Sequence, residues 1–163
     1  MNGPRKLDGK RIAVLAADGF EKIEFTAPVA ALKQAGAEVV IVALHPGRIR
    51  GMNVHQPADL VQVDMTVNDA IAADYDGLLI PGGYISPDLL RQSALARAFV
   101  RAADASGKPV ALMSQAPSIL TSAGLIKNRR LTSWPGMSEY MVNSGATWLH
   151  HEFVRDGNWL SSR

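Results

Sequence analysis

The chain has 163 residues, of which 47% are hydrophobic and 20% charged, a balance typical of one soluble domain with a sizeable core. Its net charge of +2, the scattering of its basic residues and the absence of a long apolar run predict neither a nucleic-acid nor a membrane partner. It contains no cysteine, which excludes disulfides, thiolate nucleophiles and cysteine redox sensing.

The first part of the chain predicts a strand, a helix and a second strand. The apolar runs over 11–17 and 38–44 are typical of buried strands. The apolar spacing between them indicates a helix that ends at Gly36. Because proline suits only the first turn of a helix, Pro28 predicts that the regular part begins after Thr26. This order is typical of a parallel crossover unit.

The next segments carry weaker patterns. Prolines and glycines interrupt 45–64, which we expect to be less regular and to hold short strands, with 60–63 as the best candidate. A short helix capped by Thr66 is predicted over 66–73.

Two strand-to-helix turns follow. A buried strand is predicted over 76–80, and Pro81-Gly82-Gly83 ends it. Serine, proline and aspartate at 86–88 predict the start of one helix that runs to about Ala105. The face predicted to be buried carries Leu95, Phe99 and Ala102.

The stretch 108–124 organises the rest of the chain. Its apolar first half, 109–113, predicts a strand buried on both faces, and its second half predicts a helix from Pro117 to Gly124. The few residues between them leave room only for a sharp corner, which would raise Ser114 above the sheet.

The last part of the chain predicts a short helix over 138–143 and short strands at 147–149, 153–155 and 158–160. Asp156-Gly157 predicts a hairpin turn between the last two. Alternating strands and helices favour a doubly wound α/β fold with a mostly parallel sheet flanked by helices. Ligands of such sheets bind beyond the carboxyl ends of the strands, which here are the turns at 18–24, 81–88 and 113–117.

Several segments match one protein family in the family's own order from residue 11 onward. They are DGFEKIE (18–24), PGG (81–83), KPVA (108–111), SAGL (122–125), TSWP (132–135), NSGA (143–146) and DGNWLSSR (156–163). Together they resemble the ThiJ/PfpI superfamily of intracellular proteases and protein deglycases. The resemblance implies a flavodoxin-like or class I glutamine amidotransferase-like sandwich, with 1–163 as a single domain. Family members continue past Ser-Ser-Arg into a closing helix, which we expect to be missing here.

The corner departs from the family pattern. Members usually have Cys-His-Gly-Pro where this chain has Ser-Gln-Ala-Pro at 114–117. The resemblance therefore places Ser114 at the position of the cysteine nucleophile and Gln115 at the position of the histidine.

The resemblance also implies roles for residues at the other turns. Glu24 matches the glutamate that hydrogen-bonds the nucleophile, and Asp88 matches an acidic residue that reaches the site from a neighbouring subunit in the protease. Gly82 and Gly83 match the backbone N–H donors that polarise a bound carbonyl group. Apart from the resemblance, Trp134 in the loop beyond the corner is a candidate either for the wall of the pocket or for the core.

Two hypotheses on function follow. Serine needs a base to act as a nucleophile, and Gln115 cannot accept a proton, so Glu24 is the only local candidate base. Because the family's cysteine and histidine are both replaced, we favour a family member with a degenerate site that binds a small ligand without catalysis, with Gly82, Gly83, Gln115 and Trp134 as ligand contacts. The alternative is a hydrolase of the peptidase/amidase or glyoxalase/deglycase type, with Ser114 as nucleophile and Asp88 completing the site.

The expected partners are a small carbonyl or carboxylate ligand or a peptide, and further copies of the chain in a homodimer or larger assembly. No cofactor is predicted, because no G-x-G-x-x-G follows the first strand. No metal is predicted either, because His150 and His151 would point to opposite faces of a surface strand. The N-terminus lacks an apolar segment after its basic residues, so the expected location is the cytoplasm.

Overall fold

The computed structural model describes residues 3–163, in which strands and helices alternate. The strands are β1 (Arg11–Leu15), β2 (Phe20–Glu21), β3 (Glu38–Ala43), β4 (Arg48–Asn53), β5 (Gln56–Gln62), β6 (Met65–Thr66), β7 (Gly77–Ile80), β8 (Val110–Met113), β9 (Arg130–Leu131), β10 (Thr147–Trp148), β11 (Phe153–Asp156) and β12 (Trp159–Ser162). The α-helices are α1 (Lys22–Gln34), α2 (Ser86–Gln92), α3 (Ala94–Ala105), α4 (Ser118–Ser122) and α5 (Ser138–Asn143), and 3-10 turns cover Ala72–Asp74 and Pro135–Met137. None of the helices between residues 3 and 163 has the length and apolar composition to cross a membrane.

The main sheet has seven strands in the order β11-β12-β8-β7-β1-β3-β6. Its neighbouring strands pair in parallel, except that β11 runs antiparallel to β12 through the turn at 157–158. Residues 13–15 of the central strand β1 have no exposed surface, which explains why the inner strands are continuous apolar runs.

Apolar cores lie on both faces of this sheet. Phe25 and Val29 of α1 pack on one face, together with Ile49 of β4. Residues from α2, α3, α4 and α5 pack on the other face. Helices on both faces of a mostly parallel sheet confirm the predicted doubly wound α/β class. The carboxyl ends of the adjacent strands β1, β7 and β8 meet at one edge, where such folds bind ligands.

The predicted start of the first helix is wrong. Helix α1 begins at Lys22 and holds Pro28 in its interior, although proline cannot donate the usual hydrogen bond there. Phe25 and Val29, on either side of the proline, are both buried. The burial of this apolar face outweighs the local cost of the proline.

The segment 45–64 is more regular than predicted, and the strand candidate at 60–63 overlaps β5. Strands β4 and β5 form an antiparallel hairpin with a register shift, and β2 adds a third, parallel strand. The Gly19 N–H donates to the Arg50 carbonyl at 2.7 Å, and the Arg50 N–H donates to the Asp18 carboxylate at 2.8 Å. These contacts between residues distant in sequence hold a segment that lacks a strong local pattern.

The predicted helix over 66–73 is replaced by strand β6, a turn and the 3-10 turn. The Val67 N–H donates to the Ala43 carbonyl at 2.8 Å, next to the parallel pairing of β6 with β3. Pairing with β3 thus holds the backbone extended where Thr66 alone favours a helix cap.

The helix predicted over 86–105 is two helices. Ser93 has an extended backbone, and its hydroxyl accepts a hydrogen bond from the Ala96 N–H at 3.2 Å, so it caps α3. The predicted buried face is one residue out of phase for Leu95 and Ala102, which are exposed, whereas Ala96, Phe99, Val100 and Ala103 are buried.

The residues 150–151, predicted as a strand, lie outside the strands, between β10 and β11.

Candidate functional site

Ser114 lies at the sharp corner between β8 and α4. Its φ is +57°, a left-handed conformation that a residue other than glycine adopts only under constraint. The Ser114 N–H donates to the Ser162 carbonyl at 2.9 Å, and the Ser114 carbonyl accepts from the Trp134 N–H at 2.8 Å. The corner is therefore fixed by hydrogen bonds to two segments that lie far along the chain.

Glu24 approaches the corner from the first turn of α1. Its carboxylate accepts a hydrogen bond from the Gly82 N–H at 2.8 Å, and the side chain is half-buried. Burial raises the pKa of Glu24 above its ordinary value of 4.5, against the lowering effect of hydrogen bonds to Gly82 and Ser114. A carboxyl group with this environment can carry a proton closer to neutral pH than an exposed glutamate can.

Gly82 and Gly83 allow the three turns to meet. A Cβ atom on Gly82 would lie 2.7 Å from the Ser114 Cβ and would also collide with the Glu24 carboxylate. Gly83 has a φ of +116°, and a Cβ on it would lie 2.6 Å from the Gly19 carbonyl oxygen. Both positions therefore require glycine for close approach, apart from any contact with a ligand.

Gln115 has an amide group where the family pattern has a histidine, which could act as a base. The Gly83 N–H donates to the Gln115 Oε1 at 3.2 Å, and because an N–H can only donate, this contact identifies the oxygen end of the amide. The Ser114 hydroxyl donates to the same oxygen at 2.5 Å, and the Glu24 carboxylate is a second acceptor for this hydroxyl. An amide oxygen does not accept a proton at ordinary pH, so the hydrogen bond to Gln115 does not activate Ser114.

The backbone donors differ from those predicted. The N–H groups of Gly82 and Gly83 are both engaged by side chains, those of Glu24 and Gln115. The Gln115 N–H forms no hydrogen bond within the described residues 3–163. It follows the corner residue directly, the position from which nucleophile-elbow proteins donate to a bound oxygen.

A cavity of about 190 Å³ opens beside the corner, and we call it the Ser114 cavity. Five of the residues predicted for the site line it: Glu24, Gly83, Ser114, Gln115 and Trp134. The Trp134 side chain is 46% exposed, so it stands at the rim and leaves the corner open. Gly82 lies behind the cavity wall rather than on it.

Asp88 lies outside the Ser114 cavity. Its carboxylate pairs with the Arg91 guanidinium at 2.6 Å and accepts a hydrogen bond from Gln92 at 2.9 Å. It lines a second cavity instead, next to the first. A catalytic role for Asp88, in its own subunit or a neighbouring one, stays a prediction.

Three residues that line the Ser114 cavity were not predicted from the sequence: Glu21, Val54 and Tyr84. Val54 comes from the turn of the β4–β5 hairpin, which carries no strong local pattern. Tyr84 follows Gly83 directly and could have been named from that position alone. Among residues 3–163, no three histidine or acidic side chains are grouped so that they could hold a metal ion.

Comparisons with known proteins identify relatives of this chain. The sequence model of the DJ-1/PfpI family matches residues 10–163. The chain is 38% identical over 153 residues to Deglycase PfpI of Pyrococcus furiosus, covering 94% of this chain and 89% of that protein. It is 36% identical over 152 residues to Protein/nucleic acid deglycase 2 of Escherichia coli, covering 93% and 86%.

A solved structure shows the same fold. The crystal structure of a two-domain protein from Anabaena variabilis, with DJ-1/ThiJ/PfpI-like and ferritin-like domains, superposes with a TM-score of 0.88 at 34% identity. The match covers 94% of this chain and 43% of that one, so this chain spans less than half of the two-domain protein.

Proposed function

This chain belongs to the DJ-1/PfpI family, and from its site we propose that it binds a small carbonyl or carboxylate ligand in the Ser114 cavity without catalysing its conversion. The hydrogen bond from the Ser114 hydroxyl to the Gln115 Oε1 carries this proposal. It directs the serine proton to a group that cannot take it, while the Gln115 N–H has no hydrogen-bond acceptor within residues 3–163. A site of this kind can hold a ligand oxygen but lacks an activated nucleophile.

The test is a titration with two small probes, pyruvate and pyruvamide, followed by NMR of the labelled protein. We expect the amide signals of Gly83, Ser114 and Gln115 to shift on binding, with no new product in the probe spectrum. Ser114→Ala removes the hydrogen bond that orients the Gln115 amide, so it should weaken the binding of both probes by about threefold to tenfold. Ser114-dependent turnover of either probe by the wild type would contradict the proposal.

A second candidate function is a hydrolase of the deglycase or peptidase/amidase type. Both relatives described above are named deglycases, and the constrained corner places Ser114 beside a half-buried carboxyl group whose pKa is raised. In this candidate Glu24 is the base for Ser114, which requires the hydroxyl to turn away from Gln115.

This candidate predicts turnover of a methylglyoxal adduct, a peptide or an ester that Ser114→Ala abolishes and Ser114→Cys increases. If neither the wild type nor the double variant Ser114→Cys, Gln115→His turns over any of these substrates, the candidate fails. Turnover by the double variant alone would support the binding proposal, since it would trace the missing activity to these two residues. A peptide ligand, a homodimer or larger assembly and a cytoplasmic location stay predictions.

A further inference from the structure

A second cavity, of about 260 Å³, lies directly beside the Ser114 cavity, and we call it the Arg91 cavity. The two cavities share Gly83, Tyr84 and Gln115 as lining residues. A ligand of a few atoms can therefore reach both.

The wall of the Arg91 cavity carries a hydroxyl group that can bind a ligand. Ser118 lines this cavity. Among residues 3–163, the one buried side-chain N or O atom without a hydrogen-bond partner belongs to Thr121, so the Ser118 Oγ is accessible from the cavity. The Ser118 hydroxyl can therefore donate a hydrogen bond to a ligand there.

Gln115 adds a second donor. Its Oε1 accepts from Gly83 and Ser114, which leaves the Nε2 group as a donor without a partner in the described part of the chain. Because Gln115 lines both cavities, one amide can contact two groups of the same ligand.

Arg91 adds a guanidinium donor at the side of the cavity. Its Nε and one terminal nitrogen contact Asp88 at 2.8 and 2.6 Å, and the other terminal nitrogen forms no hydrogen bond within residues 3–163. The carboxylate of Asp88 is therefore already compensated by this pair. A hydroxyl, an amide N–H₂ and a guanidinium are all donors, and a carboxylate is the acceptor-only group that suits such a set.

We propose that the ligand of the Ser114 cavity carries a carboxylate, and that Ser118, Gln115 and Arg91 bind this carboxylate in the Arg91 cavity. The ligand class is a short oxo acid, with its carbonyl oxygen at the Gln115 N–H and its carboxylate a few bonds away. The inference rests on the proposed function, because it names the ligand class of the same site.

Pyruvate and pyruvamide test it, since they share the ketone and differ in the charge of the neighbouring group. We expect the wild type to bind pyruvate at least about tenfold more tightly than pyruvamide, as for a hydrogen bond to a charged group. Arg91→Gln should remove most of this difference by weakening pyruvate alone. Ser118→Ala should weaken pyruvate more than pyruvamide. The control Arg101→Gln, at an exposed position of α3, should leave both affinities unchanged.

The results distinguish failure of the carboxylate site from failure of the proposed binding function. Equal affinity for both probes, or an equal effect of Arg91→Gln and Arg101→Gln on pyruvate, overturns the carboxylate site while the binding function stands. If neither probe binds at about 10 mM, or if Ser114→Ala leaves both affinities unchanged, the proposed function fails and the inference falls with it.

Discussion

The left-handed backbone at Ser114 predicts an unusual ranking of two substitutions. Ser114→Gly and Ser114→Ala remove the same hydroxyl, so the difference between them reports on the backbone. At a φ of +57° an alanine carries a penalty of about 1–2 kcal/mol that glycine does not. Glycine in turn gains about 0.4–1 kcal/mol of entropy in the unfolded chain. We therefore expect Ser114→Gly to be more stable than Ser114→Ala by about 0.5–1 kcal/mol.

Urea unfolding followed by tryptophan fluorescence measures this difference. Trp159 is 1% exposed, so unfolding changes its surroundings completely. With a slope of about 2 kcal/mol per molar urea, the two midpoints should differ by about 0.3–0.5 M. Ala102→Gly, at an exposed position with ordinary helical backbone in α3, is the control and should lose about 1 kcal/mol. The reasoning is refuted if glycine is worse than alanine at 114 by a similar amount.

Two further predictions concern groups with an unfavourable environment. Because burial holds the folded-state pKa of Glu24 above 4.5, its contribution to stability is present below pH 4.5 and is lost as the pH rises through the raised value. Glu24→Gln, which stays neutral, should therefore match the wild type below pH 4.5 and melt at a higher temperature at pH 8; a lower melting temperature at pH 8 would contradict this. The hydroxyl of Thr121 is buried without a hydrogen-bond partner among residues 3–163, so Thr121→Val should stabilise the protein by about 1 kcal/mol and raise Tm by about 2–4 °C. A loss of the same size in calorimetry would show that this hydroxyl is satisfied.

Short-range patterns were enough to predict the parts of the fold in which local and tertiary preferences agree. The apolar run before Ser114 and the proline after Gln115 indicated a strand, a corner and a helix, and the structure has β8, the corner and α4 at these places. The same agreement holds for α5, whose bounds match the prediction.

Local rules failed where distant contacts decide the conformation. Pro28 would end a helix in isolation, but α1 continues through it because its neighbours are buried against the sheet. Thr66 would cap a helix, but pairing with β3 keeps it extended. Ser93, by contrast, carried a recognisable cap signal that an unbroken helical pattern concealed.

The candidate site was also predictable only in part. Glu24, Gly83, Ser114 and Gln115 were placed in it from the family resemblance. Trp134 was a candidate from its loop position, and all five residues line one cavity. The contacts among them were not predictable, because the orientation of the Gln115 amide depends on the Gly83 N–H across the cavity. The Arg91 cavity depends on the relative placement of α2 and α4, which no single segment of the sequence reveals.

The hydrogen bond from the Ser114 N–H to Ser162 connects the site to the β11–β12 hairpin. Strand β12 pairs with β8 on one side and with β11 on the other, so fraying of β11 exposes the strand that supports the corner. Amide hydrogen exchange at Ser114 should therefore speed up together with exchange along β12 when the turn at Gly157 is loosened. In this fold the shape of a cavity at one end of the sheet depends on how firmly its outermost hairpin is closed.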